Sequence, residues 1–81
     1  MEQRVGVIGI VIENRVIAPK INSILSEYNE TIIGRMGVPY RERGISVISL
    51  IVDGSTDDIG AMTGKLGGIK GVKVRAALVT K

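Results

Sequence analysis

The sequence predicts an α+β fold in the order β-α-β-β-α-β, a four-stranded antiparallel sheet with two helices on one face. Three observations predict it. Residues 5–12 and 45–53 are Val/Ile-rich and apolar at both parities, as strands at the centre of a sheet are. Two other segments carry apolar residues at helical spacing. Gly, Pro and Asn punctuate the joins between these runs.

Residues 5–12 form the first strand, closed by the polar turn Glu13, Asn14, Arg15. Asn14 is placed to cap the first helix, and Pro19 sits in its first turn, where a missing N–H does no harm. Ile17, Ile21, Ile24, Leu25 and Tyr28 make one apolar stripe, and the helix ends near residues 28–30. Residues 31–41 read as a second strand. Glu42, Arg43 and Gly44 turn it into the third strand, 45–53, as a hairpin. Ser55 followed by Asp58 resembles a capping box, and acids in that first turn suit the helix dipole. Ile59, Met62, Leu66 and Ile69 supply the second buried stripe. Gly67 and Gly68 then stop the helix, and Gly71 leads into a fourth strand, 72–80. Right-handed crossovers make the first and third strands central, which is the split βαβ, ferredoxin-like plan.

Composition narrows the chemistry. The chain has 81 residues, a length suited to a single domain over 1–81. It contains no Cys, so disulfides, thiolate metal sites and cysteine nucleophiles are excluded. It contains no His, the usual general base near neutral pH and the commonest metal ligand. With no Phe or Trp and two Tyr, it lacks an aromatic platform for stacking bases. The formal net charge of +3 is mild, and direct nucleic-acid binding is not expected. The first apolar run is too short to span a membrane, and it ends in Glu13, Asn14 and Arg15 where a signal peptide would place small residues, which predicts a cytoplasmic protein.

No catalytic set emerges, and the protein is not expected to be an enzyme. Residues 60–66 imitate a phosphate loop, but Leu66 stands where Ser or Thr must reach magnesium. Asp53, Ser55 and Asp57 begin like a calcium loop, but Gly64 occupies the position of the closing Glu. No metal and no cofactor is expected. Gly60, Gly64 and Gly68 share one helix face; close approach by a neighbouring chain or ligand and a merely tolerated run of glycines are both consistent with that.

The doubly apolar central strands carry a further implication. Val5, Val7 and Val11 have one parity, Ile8, Ile10 and Ile12 the other. Helices cover only one sheet face, so the second face is expected to be buried in a homo-oligomer, a dimer or a tetramer. The alternative is a monomer whose open face is shielded by long side chains such as Arg35 and Lys73.

The segment 34–44, Gly-Arg-Met-Gly-Val-Pro-Tyr-Arg-Glu-Arg-Gly, has the most character. Its guanidiniums suit a carboxylate or phosphate, and its glycines permit close backbone approach. The competing reading is an edge strand guarded against aggregation by charge and by Pro39. This run, with 45–50 (Ile-Ser-Val-Ile-Ser-Leu), 63–67 (Thr-Gly-Lys-Leu-Gly) and 71–74 (Gly-Val-Lys-Val), resembles the regulators of the iron-only hydrogenase system. That family is ACT-like and similar to the C-terminal domain of the nickel-responsive repressor. The resemblance covers essentially the whole chain. It implies a cytoplasmic regulatory protein, an ACT-like ligand-sensing oligomer; the first strand starts at once with no DNA-binding segment ahead of it, so any regulation of transcription is expected to act through a partner protein. It also implies a small anionic effector at a subunit interface. The expected ligand-binding residues are Asn14 and Arg15 from the first turn and Arg35, Met36 and Gly37 from the second strand. The rival function is a ligand-free interaction protein that docks on a maturation or transcription factor.

Overall fold

A computed structural model describes residues 2–80. Six main elements follow in the predicted order: β1 (Gln3–Ile12), α1 (Ala18–Glu27), β2 (Ile32–Tyr40), β3 (Ile45–Ser55), α2 (Thr56–Gly67) and β4 (Val72–Thr80). The sheet order is β2-β3-β1-β4, and every neighbouring pair is antiparallel. β1 and β3 are central, as expected.

The core lies between one sheet face and the two helices. Ile8, Ile10 and Ile12 of β1 and Ile48, Leu50 and Val52 of β3 are buried against Ile21, Ile24 and Leu25 of α1 and Ile59, Met62 and Leu66 of α2. Each set recurs at its element's own period, two for strands and three or four for helices. The opposite parity forms the second face, where Val7 and Ile51 are about half exposed, Val38 of β2 is 51% exposed and Val79 of β4 is 58% exposed. This face is uncovered in the chain by itself.

Two local features differ from expectation, each for a physical reason. Asn14 does not cap α1 directly. Its Oδ1 accepts a hydrogen bond from the Val16 N–H at 3.0 Å and so caps a short 3-10 turn, Arg15–Ile17, from which α1 continues. Pro19 remains in the first turn of α1. The second difference is a β-bulge. Ile32 pairs with Val52, but Gly34 pairs with Ile51, so Ile33 is an extra residue. One inserted residue reverses the parity of everything after it. Arg35, Gly37 and Pro39 therefore lie on the helix side of the sheet, and Met36, Val38 and Tyr40 on the open side. Arg35 thus does not shield the open face; only Lys73 of the two shielding candidates has the parity to do so.

The expected cap at Ser55 is present: its Oγ accepts from the Asp58 N–H at 3.1 Å. The hairpin turn ends on Gly44 at φ 68°, a left-handed conformation that favours glycine. Between α1 and α2, the Lys65 ammonium lies 2.8 Å from Glu27 Oε1 and 5.1 Å from the Tyr28 ring centroid. Hydrogen bonding to Glu27, then to Tyr28, raises its pKa above the usual lysine value.

Candidate functional site

Residues of α1 face the helix side of edge strand β2 across an open cleft. Its volume is about 170 Å3. Ile12, Ala18, Ile21, Pro39 and Ile48 supply apolar lining, and Asn22, Arg35 and Ser46 supply polar groups. The Arg35 Nη2 donates to Asn22 Oδ1 and closes one end. Beyond this bond a second cleft of about 230 Å3 continues between Ser26 of α1, Asn29 in the turn after it, and Ile33 and Gly34 of β2. Arg35 therefore stands between two depressions, anchored on one strand and bonded to one helix.

The geometry follows from local sequence. Ala18, Ile21, Asn22, Leu25 and Ser26 recur at helical spacing, so α1 turns a half-apolar, half-polar flank toward β2. The bulge at Ile33 turns Arg35 toward that flank. A Cβ at Gly37 would lie 3.8 Å from Ile48 Cγ1, an ordinary contact, so the glycine leaves the cleft wider without being sterically required.

The five expected site residues do not all converge. Arg35 and Gly37 share the cleft. Met36, 67% exposed, is on the other side of the sheet, where it lines a depression of about 210 Å3 with Ser49 and Ile51. Asn14 and Arg15 sit in the turn after β1, and neither lines the cleft. The Asn14 oxygen is already engaged by the backbone, and Arg15 is exposed. Asn22, the partner of Arg35, was missed by sequence reading. The polar series Asn22, Ser26, Asn29 beside the buried stripe was the available signal.

Among the described residues, no group of three or more His, Cys, Asp or Glu side chains could hold a metal ion. No helix of the described residues is long and apolar enough to cross a membrane.

The family described as "Iron-only hydrogenase system regulator, putative" (TM1266-like) matches residues 4–76. The chain belongs to this family. Its fold is matched by the structure of the uncharacterized protein TM1266 from Thermotoga maritima at a TM-score of 0.90 and 38% sequence identity, over 96% of this chain and 99% of that one. A second similar structure is the apo form of CPII from Thiomonas intermedia K12, described as a nitrogen regulatory PII-like protein. Its TM-score is 0.61 at 9% identity, over 96% of this chain and 91% of that one, a likeness of fold alone. No curated protein matches the chain. The hydrogenase-regulator family inferred from segment 34–44 and the ferredoxin-like α+β fold are thus both found.

Proposed function

We propose that this chain is a cytoplasmic regulatory protein of the iron-only hydrogenase system that senses a small anionic effector as a homo-oligomer. The observation that carries the reading is the position of Arg35, a guanidinium held over a mostly apolar cleft by one neutral partner, Asn22. An incoming carboxylate or phosphate oxygen offers that guanidinium a charge-assisted hydrogen bond, about twice as strong as a neutral one. Displacing Asn22 would break the side-chain bond between α1 and β2, which gives binding a mechanical consequence. Gly37 widens the entrance. Met36, Asn14 and Arg15 lie away from this cleft in one chain, so they contribute only where a subunit interface brings a second copy alongside. The uncovered apolar sheet face supports such an assembly. The regulatory family and the PII-like fold suggest action by binding rather than by catalysis.

The rival reading is a ligand-free oligomer that docks on a maturation or transcription factor, and the same open sheet face favours it. Native mass spectrometry separates the two. An oligomer carrying a small extra mass, lost in Arg35→Ala, supports the sensor. An oligomer with no extra mass, together with unchanged melting across a panel of carboxylates and phosphates, turns the assignment to the docking protein.

A further inference from the structure

The fold sorts the charges of this chain by end. The molecule is 40 Å along its longest axis and 18 and 17 Å across. Strands of nine to eleven residues, rising about 3.3 Å per residue, set that long axis. The β2–β3 turn, the turn after β1, the start of α1 and the start of β4 share one end, because Ile12 pairs with both Ser46 and Val72 and Ser46 pairs with Pro39. Six exposed cations gather there: Arg15, Lys20, Arg41, Arg43, Lys70 and Lys73. The acids at that end are Glu13 and Glu42. The opposite end carries Glu2, Glu30, Asp53, Asp57 and Asp58, with Arg4 the cation there among the described residues. The ion pairs found among the described residues are Arg4–Glu2 and Lys65–Glu27, so none of the six cations is in one. With a Debye length of about 8 Å at physiological salt, the two ends act on partners independently.

Exposed apolar groups accompany the cations. Val16 is 81% exposed beside Arg15, and Tyr40 is 44% exposed beside Arg41. Arg and Tyr are the side chains that most often anchor protein interfaces. Glu42, between Arg41 and Arg43, would repel a phosphate track but can accept from a peptide amide or a cationic side chain.

We propose that this end is a docking surface for an acidic segment of a partner protein, one that interleaves carboxylates with apolar side chains. The reading does not depend on the cleft at Arg35. It explains why charge is segregated here when solubility alone would be served by mixing the two signs.

Fluorescence anisotropy with three labelled probes tests it: an acidic peptide with Leu every fourth residue, polyglutamate of the same length, and duplex DNA of arbitrary sequence. Wild type is expected to bind the Leu-bearing peptide at least about tenfold more tightly than polyglutamate. Arg41→Glu with Arg43→Glu should weaken that binding by about tenfold or more, and Lys20→Glu with Lys70→Glu should also weaken it. Arg4→Glu with Lys65→Glu makes the same change in net charge and should alter it by less than about threefold. Equal loss in all three variants would overturn the proposal, because net charge alone would then explain binding. DNA bound more tightly than the peptide, no preference for Leu, or no binding at low salt would also overturn it. Far-UV circular dichroism checks that each variant is folded.

Discussion

Arg35 on edge strand β2 donates to Asn22 on α1, a side-chain bond that spans the cleft between the two elements. The contact is long-range in sequence and exposed in space. Both properties make it suited to being broken.

Arg35→Ala is therefore expected to be a functional rather than a structural lesion. An exposed side-chain hydrogen bond of this kind contributes no more than about 1 kcal/mol to folding. The variant should melt within a few degrees of wild type yet lose any anion-dependent rise in melting temperature. Asn22→Ala should melt similarly but bind the anion at least as well, because it frees the guanidinium. Differential scanning fluorimetry with carboxylates and phosphates checks both. An Arg35→Ala protein that still responds like wild type would remove Arg35 from the site.

Glycines on β1 and α2 should behave in opposite ways. A Cβ at Gly6 would clash with the backbone oxygen of Ala77 and lie 2.8 Å from Leu78 Cα, so Gly6→Ala must push β4 away from β1. A loss of roughly 3 kcal/mol or more is expected, by the overpacking it forces. At Gly60 a Cβ would meet nothing within 4 Å. Gly60→Ala should stabilise α2 by about 0.5–1 kcal/mol, through helix propensity. Urea titrations of the two variants give both signs.

A core truncation sets the scale for these numbers. Leu50 is fully buried at the centre of β3, beneath both helices. Leu50→Ala should cost about 2–5 kcal/mol, for lost transfer energy and the cavity left behind. A smaller loss in chemical denaturation would mean that the helices collapse into the space.

Charges placed on the open sheet face should dissociate any oligomer built on it. Val7 and Ile51 are register partners on the two central strands, and both are about half exposed. Val7→Lys or Ile51→Lys leaves the helix-covered core untouched, so far-UV circular dichroism should be unchanged. Analytical ultracentrifugation should show the assembly falling to monomer. If the lysine variants keep the wild-type mass, the subunits meet along sheet edges instead.

The element order was legible because short runs apolar at both parities, stripes at helical spacing and the turn residues between them are all visible in the chain. Ile8, Ile10 and Ile12 alternate with Val7, Gly9 and Val11, while Ile21, Ile24 and Leu25 recur along a helical face. The cap at Ser55 and the glycine at position 44 were legible because each answers a local backbone demand. The family was legible in segment 34–44, whose unusual run of Gly, Arg and Pro is more specific than the strands around it.

The cleft was only partly legible. Arg35 and Gly37 do share it, but Met36 could not join them, because adjacent residues in a strand face opposite sides. Asn14 was spent on a backbone N–H, a contact within two residues that competes with any ligand.

By itself the sequence determined the elements, their order, the buried stripes and the two-sided apolar character of the central strands. All of these depend on spacing between near neighbours in the chain. Tertiary structure decided which side of the sheet receives Arg35. A single extra residue at Ile33, accommodated as a bulge against Val52 and Ile51, reverses the parity of the rest of β2. Whether a strand accepts such an insertion depends on its pairing with a partner distant in sequence. The bond from Arg35 to Asn22, and with it the shape of the cleft, exists only because that pairing was made.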